Sequence, residues 1–244
     1  MLERLRRAPE GVSGEVRLEV SMLPIPPEKA PAGRRLDLRR LAADLRGVVA
    51  VAGATSNAGK TRTVERLLAA FAQERIPATA LKVTRTHLTS CPRGHDACGT
   101  CDSLSGAFEI VSDPDRLAVP GKDTARYLAA GAGEVLWLLA RPDAMEVGLA
   151  AVAAALAPGV VLVAEGNSFL DWVEVDVALM AVWDRESPKP SAEHVLDRVD
   201  AFVLRPGRGG AFPPPLRDDK PVVDDATLWP FVSARLVASR VRER

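Results

Sequence analysis

The chain has 244 residues, of which 47% are hydrophobic, and it carries 32 basic and 32 acidic side chains. This length can form one large domain, or one domain with an appendage, and the apolar content can supply a sizeable core. The balanced charge gives no support for binding to nucleic acid or to anionic membranes through bulk electrostatics. The charged N-terminus MLERLRRAPEG lacks the apolar region of a signal peptide, and Pro158 and Gly159 interrupt the longest apolar run. We therefore expect a soluble, cytoplasmic protein that spans no membrane.

Residues 1–46 are typical of an appendage that packs on a larger domain. GEVRLEVSM at 14–22 alternates apolar and polar side chains, as a half-buried strand does. LPIPPEKAPAG at 23–33 is a proline-rich connector, and LDLRRLAADL at 36–45 predicts a short amphipathic helix. The main domain is expected to cover residues 47–244.

From residue 47 onward, the pattern predicts an α/β fold with a doubly wound, mostly parallel sheet flanked by helices in three layers. GVVAVAG at 47–53 is apolar throughout, which is typical of a central strand buried on both faces. Ser191 is the expected N-cap of a helix at 191–199. The other predicted strands are 78–84, 134–140, 159–166, 175–183, 201–207 and 220–224, and the other predicted helices are 60–75, 122–132, 143–156 and 226–243.

The strongest functional signal is VVAVAGATSNAGKTRT, in which a buried strand runs through a turn of small residues into a helix. Backbone N–H groups of such a turn, together with the helix N-terminus, can cradle phosphate oxygens. Lys60 is expected to reach the outer phosphates, and the hydroxyl of Thr61 to take a place on Mg²⁺. The predicted nucleotide-binding residues of this loop are Gly53, Asn57, Ala58, Gly59, Lys60, Thr61 and Arg62.

The loop departs by one residue from the usual phosphate-loop spacing G-x-x-x-x-G-K-[ST]. Gly53 comes one position too early and Ala54 stands where the first glycine is expected, so the loop reads G-x₅-G-K-T. A chance GKT at a helix start is the alternative. The buried strand before it and the helix after it favour a phosphate loop.

Four segments occur in the order found in one protein family. They are the phosphate loop, LKVTRTH at 81–87, VPGKDTARYLAAGAGEVLWLLA at 119–140 and VVLVAEGNSF at 160–169. Together they resemble molybdopterin-guanine dinucleotide biosynthesis protein B over roughly residues 48–180. The resemblance implies a P-loop NTPase that binds GTP or ATP with Mg²⁺ and hydrolyses it during assembly of a metal cofactor. It also implies a homodimer whose partners are nucleotide and either a cofactor intermediate or a metal-cofactor enzyme.

The same resemblance implies roles for residues outside the loop. Glu165 would hold Mg²⁺ or orient the attacking water, so Lys60 and Glu165 are the predicted catalytic residues. Asp123 would serve similarly, or would only cap the helix that it begins. Basic side chains near Asp123 would help to hold an anionic ligand, with a solvated helix face as the alternative. The remaining nucleotide-binding candidates are Lys82, Lys122 and Arg126.

The G-x₅-G-K-T spacing also resembles that of dethiobiotin synthetase, an ATP-dependent ligase. That enzyme places a substrate-binding lysine near the end of its second strand, where Lys82 stands, although LKVTRTH lacks the family's Lys-Pro pair. Two other functions stay open, a metallochaperone-type NTPase and a nucleotide-binding regulator that hardly turns over. The sequence has no N-K-x-D motif, so the nucleotide base cannot be read from it.

All three cysteines, Cys91, Cys98 and Cys101, lie in TSCPRGHDACGTCDS, within a metal-binding insertion predicted at about residues 87–120. The Cys-x₂-Cys spacing lets two thiolates share one metal ion, and His95 or His87 can complete a Cys₃His site for zinc. Three thiolates can also hold an iron–sulfur cluster. A redox-active Cys98–Cys101 pair or three free thiols are the alternatives. The loop follows a strand end, so we expect it on the same side of the sheet as the phosphate loop.

Overall fold

The computed structural model describes residues 35–42, 44–86, 104–182, 188–204 and 219–242. In this part of the chain, apolar segments rich in Val, Leu and Ala form one eight-stranded sheet. Branched side chains such as Val pack well on the pleated surface of a sheet. The strands are β1 Gly47–Gly53, β2 Ala78–Arg85, β3 Phe108–Val111, β4 Glu134–Ala140, β5 Val161–Glu165, β6 Val177–Val182, β7 Ala201–Leu204 and β8 Val222–Val223.

Across the sheet, the strand order is β3-β4-β2-β5-β1-β6-β7-β8. The neighbouring strands pair in parallel, except that β3 runs antiparallel to β4 at one edge. The central strand β1 lies between β5 and β6, and all seven of its residues are buried. This position explains its unbroken apolar sequence, because a parallel strand inside a covered sheet has no solvent face.

Helices cover both faces of this sheet. They are α1 Leu38–Leu41, α2 Lys60–Gln73, α3 Pro114–Leu117, α4 Asp123–Ala129, α5 Met145–Ala155, α6 Asn167–Trp172, α7 Pro190–Glu193 and α8 Leu228–Arg242. One buried cluster contains residues of α2, α4 and α8, and the other contains residues of α1, α5 and α6. This three-layer arrangement confirms the predicted doubly wound α/β fold. None of the helices in the described ranges is both long and apolar enough to cross a membrane.

The described part of the N-terminal segment packs against the main domain. The backbone N–H of Leu36 donates to the Trp172 carbonyl at 2.7 Å, and the Glu174 N–H donates to the Leu36 carbonyl at 2.9 Å. Leu38 is fully buried in the cluster on this face of the sheet. The helix expected over 36–45 is confined to α1, which spans four residues.

Local structure differs from the sequence-based expectation at two places. The helix expected at 191–199 is the single turn α7, followed by a 3₁₀ turn at Leu196–Arg198. The prediction of Ser191 as N-cap is wrong, because Lys189 is the N-cap and Pro190 takes the first helical position. Proline suits that position, where its missing N–H would have had no partner inside the helix. Strand β3 was not predicted, and it lies inside the range assigned to the metal-binding insertion.

Replacing Leu38 with alanine should lower the free energy of unfolding by about 2–4 kcal/mol, because truncating a fully buried leucine leaves a cavity. Leu41 lies on the same helix but is 47% exposed, so Leu41→Ala is a matched control. That control should change the free energy by less than about 0.5 kcal/mol. Urea unfolding followed by circular dichroism measures both variants. Equal losses in the two would contradict the packing of α1 on the sheet.

Candidate functional site

The segment between β1 and α2 forms a tight loop at the carboxyl end of the central strand. Asn57 and Gly59 adopt left-handed backbone conformations, with φ of 61° and 98°, which turn the chain sharply into the helix. Gly59 is the N-cap of α2, and it offers no side chain to cap the helix. The backbone N–H groups of the first turn are therefore available to an anion.

The Lys60 side chain folds back over the end of β1. A Cβ atom added to Gly53 would lie 2.7 Å from Cγ of Lys60 and 2.9 Å from Cδ, closer than such atoms approach in proteins. Glycine at this position lets the lysine take its path. This contact accounts for the early glycine of the loop, since Gly53 makes room for Lys60, while the usual glycine position is filled by the buried Ala54.

The start of the loop is held by hydrogen bonds on both sides. The buried side chain of Asn167 accepts from the Gly53 N–H at 2.9 Å and donates to the Gly53 carbonyl at 3.0 Å. On the other side, the Ala54 N–H donates to the Ala181 carbonyl of β6 at 2.9 Å. The Lys189 N–H donates to the Ala54 carbonyl, also at 2.9 Å. The backbone polar groups of Gly53 and Ala54 are thus satisfied before the loop turns away from the sheet.

Lys82 and Glu165 lie on the face of the sheet that α2 and α4 cover. They stand in register on the neighbouring strands β2 and β5, and residues in register share a face. Val51 of β1 is in register with Glu165 and packs in the buried cluster that contains α2 and α4. Lys82 and Glu165 therefore lie toward the carboxyl ends of their strands, on the sheet face that α2 and α4 cover.

Side chains from four elements meet at this point. Oγ1 of Thr61 lies 3.0 Å from Oδ1 of Asp123 and 3.0 Å from Oε2 of Glu165. Nζ of Lys82 forms an ion pair with Oδ2 of Asp123 and lies 3.7 Å from Oε1 of Glu165. The hydroxyl of the fully buried Tyr127 donates to Oε2 of Glu165. We refer to these five residues as the carboxylate cluster.

The surroundings of the cluster fix the charge of two of its members. Burial alone would raise the pKa of Asp123, but the hydrogen bond and positive charge of Lys82 and the hydrogen bond of Thr61 outweigh it and lower the pKa below its usual range. Burial and the negative charge of Glu165 raise the pKa of Tyr127. At neutral pH the cluster therefore contains an ionised aspartate and a protonated tyrosine. Asp123 is the first residue of α4, while Lys122 is its N-cap.

The carboxylate cluster has the donor set that Mg²⁺ prefers. This ion binds oxygen ligands, often one or two protein carboxylates completed by water and substrate phosphates. Thr61, Asp123 and Glu165 offer a hydroxyl and two carboxylates within hydrogen-bond distance of that hydroxyl. Within the described ranges, no three His, Cys, Asp or Glu side chains are close enough to hold a metal by themselves. The side chains of Thr61, Asp123 and Glu165 are therefore of the types that bind Mg²⁺ together with other oxygen ligands.

Other predicted residues lie away from the cluster. Arg62 is exposed, and its side chain lies 3.4 Å from a carboxylate oxygen of Asp225. Lys122 is also exposed. Arg126 donates two hydrogen bonds of 2.7 Å to Glu65, which links α4 to α2. The ion pairs of Arg62 and Arg126 connect elements around the loop, whereas Lys122 faces solvent.

A shallow depression lies beside the phosphate loop, on the side away from Glu165. It is lined by the loop, the first turns of α2, the end of β7 and the segment before α8. Its charged lining consists of Arg62, Arg66 and Asp225, with Asp225 paired to both arginines. Because β7 and β5 lie on opposite sides of β1, the depression and the carboxylate cluster flank the loop on opposite sides.

Three residues of this region were not predicted as site residues: Asn167, Tyr127 and Lys189. Asn167 follows the Glu-Gly pair that ends a predicted strand. Its position two residues after the candidate Mg²⁺ ligand Glu165 could have marked it as a site residue. Tyr127 lies four residues after Asp123, which places both on one face of a helix. For Lys189 the sequence holds no comparable signal, because its contact with Ala54 follows from the pairing of β6 with β1.

The candidate zinc or iron–sulfur ligands Cys91, His95, Cys98 and Cys101 lie outside the described residues. The metal site at these residues stays a prediction. Before this segment the chain is attached to the sheet, where the Thr86 N–H donates to the Ala140 carbonyl at 2.9 Å. Thr86 follows β2, so the chain enters the segment from the carboxyl ends of the strands, the edge that carries the phosphate loop.

Neither a protein-family model nor a curated protein matches the chain. Among solved structures, the chain is similar to the "apo" form of LpxK from Aquifex aeolicus in complex with ATP. The identity is 17% and the TM-score 0.38, and the match covers 85% of this chain and 56% of that chain. The chain thus spans little more than half the length of the LpxK chain. The fold assignment depends on the strand order and on the loop between β1 and α2, and the resemblance to molybdopterin-guanine dinucleotide biosynthesis protein B stays a prediction.

Asp123 should stabilise the protein at neutral pH but not in acid. A carboxyl whose pKa is lowered by folding stabilises the folded state above its unfolded pKa, and this contribution is lost as the pH falls through the folded pKa. The difference in unfolding free energy between the wild type and Asp123→Asn should therefore be constant from about pH 7 to 5 and shrink below about pH 4. Denaturant unfolding across this range measures it. A difference that persists unchanged in acid would contradict the ionised pair with Lys82.

Proposed function

We propose that this protein binds a nucleoside triphosphate with Mg²⁺ at the loop between β1 and α2 and hydrolyses its terminal phosphate bond. The observation that carries the proposal is the convergence of Lys60, Thr61, Asp123 and Glu165 at the N-termini of α2 and α4 and the end of β5. In phosphoryl transfer the protein takes little part in covalent bond changes. Catalysis depends on the positioning of the reacting groups and on charges placed around the phosphate. The loop and the carboxylate cluster offer both.

The phosphates would lie over the start of α2. The N–H groups of its first turn are not capped by a side chain, and the helix dipole adds positive potential there. Lys60 already lies over the end of β1, so its ammonium would contact the outer phosphates with little rearrangement. The bonds from Asn167 to Gly53 keep the base of the loop in place while the ligand enters.

Thr61, Asp123 and Glu165 would hold the ion. When bound, Mg²⁺ would supply positive charge to the phosphate oxygens. Glu165 is buried and fixed by Tyr127 and Thr61, and we assign it to the metal and to the attacking water. Lys82 offsets part of the negative charge of the two carboxylates and would be released toward the phosphates when the ion binds.

The nucleoside would lie in the depression beside the loop. The depression begins at Ala58 and Gly59 and extends along α2 to the end of β7, so a nucleotide whose phosphates occupy the loop can reach it. The Arg62 and Arg66 side chains, both paired to Asp225, provide planar cationic surfaces beside it. Such surfaces stack on aromatic rings of any base, which is compatible with ATP and with GTP.

The wider role that we propose is hydrolysis coupled to the assembly of a metal cofactor, with a molybdenum-cofactor-like intermediate as one candidate. It rests on the four segments that resemble molybdopterin-guanine dinucleotide biosynthesis protein B, and on the cysteines predicted to bind zinc or an iron–sulfur cluster near the loop. On this proposal the protein acts as a homodimer, with a cofactor intermediate or a metal-cofactor enzyme as its partner.

A second candidate function is an ATP-dependent ligase that activates a small carboxylate. The position of Lys82 favours it, because this lysine faces the candidate Mg²⁺ ligands from the end of β2 and could hold an acceptor carboxylate there. The two functions differ in what triggers turnover. A hydrolase releases phosphate with water alone, whereas a ligase consumes ATP only when the acceptor is added.

Removal of the loop lysine should weaken nucleotide binding. Lys60→Ala should raise the Kd for Mg-ATP and Mg-GTP about 10- to 100-fold, because it deletes a charge-assisted hydrogen bond to phosphate. Calorimetric titration measures both nucleotides. As a control, Arg40→Ala removes one positive charge from α1, where the side chain is 85% exposed, and should bind as the wild type does. Unchanged affinity in Lys60→Ala would defeat the assignment.

Adding a methyl group at Gly53 should weaken nucleotide binding by displacing the side chain of Lys60. Gly53→Ala should displace the lysine side chain from the end of β1 and weaken Mg-nucleotide binding about 10-fold or more. Gly106→Ala is the matched control, because its Cβ would meet only the Phe108 carbonyl oxygen at an ordinary 3.8 Å. The same titration measures both variants. Full affinity in Gly53→Ala would mean that Lys60 reaches phosphate by a different path.

A further inference from the structure

Lys189 is fixed against the first residue of the phosphate loop. It lies between the buried Pro188 and the exposed Pro190. Because proline has no backbone N–H, Lys189 supplies the only one of these three residues. That N–H donates to the Ala54 carbonyl at 2.9 Å, directly after β1. Its backbone is extended, with φ −69° and ψ 154°, as expected for a residue before proline. The chain therefore presents Lys189 beside the loop with little backbone freedom.

Lys189 and Lys60 both belong to segments that adjoin the loop after β1. Lys189 is partly buried, and burial together with the positive charge of Lys60 lowers its pKa, while the negative charge of Glu165 opposes this. The backbone bond to Ala54 and the partial burial of its side chain thus place Lys189 beside the loop that leads into Lys60. Two ammonium groups that approach each other in a partly buried cleft repel one another unless an anion lies between them.

The protein itself provides no such anion in the part of the chain that the structure describes. Lys82, the third lysine of this region, forms an ion pair with Asp123 and lies 3.7 Å from Glu165. Neither Lys60 nor Lys189 has a carboxylate within 4.0 Å among the described residues. A lysine in a purely structural role would be expected to pair or to extend into solvent.

We propose that Lys189 is a second phosphate-binding residue, supplied from the segment after β6, that contacts the polyphosphate chain of the nucleotide together with Lys60. This inference rests on the proposed function, since it assigns a further ligand to the same anion site. The ligand class is a linear polyphosphate, because two separated ammonium groups and a helix N-terminus match several phosphate oxygens better than they match one carboxylate. Lys189 would contact the polyphosphate from the β6 side of the loop, opposite the carboxylate cluster.

Inorganic tripolyphosphate with Mg²⁺ is the sharpest probe, because it carries no base or ribose. Lys189→Ala should weaken its binding about 10-fold or more, as expected for the loss of a charge-assisted hydrogen bond, and Lys189→Arg should restore most of the affinity. The backbone bond to Ala54 is kept in both variants, so both should melt at the wild-type temperature without ligand. Lys189→Met keeps the length of the stem and replaces Lys189→Ala in the titration if the alanine variant does not fold.

Arg40→Ala controls for the loss of one positive charge elsewhere on the surface. Wild-type affinity in both Lys189→Ala and Lys189→Met would overturn the inference, and so would an arginine variant as weak as the alanine variant, since the side chain would then act through packing. These outcomes are distinct from a failure of the proposed function. In that case the wild type itself would bind neither tripolyphosphate nor Mg-nucleotide, and both proposals would fall together.

Discussion

Glu165 imposes the constraint on which the rest of the site depends, because a buried carboxylate is tolerated only when it is hydrogen-bonded or paired. Its side chain is 6% exposed. Its partners are Thr61 from α2, Tyr127 from α4 and Lys82 from β2, each from a different element. Satisfying this one carboxylate therefore fixes the first turn of α2 and the second turn of α4 relative to β5. The phosphate loop immediately precedes α2, so the position of the loop follows from the same contacts.

The cleft around the loop has a negative half and a positive half. The carboxylate cluster lies toward β5 and β2, whereas Lys189 approaches from the β6 side and Lys60 lies over the end of β1. A polyphosphate with a bound divalent cation carries the complementary distribution of charge, since the cation and the phosphate oxygens are separated along one ligand. On the proposed function, charge arranged in this way would favour a metal–polyphosphate complex over either component alone. Lys82 offsets part of the negative charge of the carboxylate cluster.

The fold could be predicted because strand burial and helix periodicity are local properties of a sequence. The meeting of Thr61 and Glu165 was also predictable, since each residue lies next to the carboxyl end of a predicted strand. Tyr127 was missed although its spacing from Asp123 on one helix face was a usable signal. Lys189 was not found, because its contact with Ala54 follows from the pairing of β6 with β1. Strand β3 was missed because its four residues are mostly half-buried, so they lack the continuous apolar run of a central strand. Ser191 was misassigned because Pro190 competes for the start of α7, and proline is favoured there.

Tyr127 is the single tyrosine of the chain, and its hydroxyl ends on the carboxylate that anchors the site. A fluorinated tyrosine incorporated throughout the protein would therefore label one position, fully buried and in hydrogen-bond contact with Glu165. Its fluorine resonance would respond to any change of charge at that carboxylate, because ring shifts of a buried phenol follow the polarity of its hydrogen bond. A fluorinated Tyr127 would thus report from the carboxylate cluster itself, and it would test whether Mg²⁺ binds there without a reporter attached to the ligand.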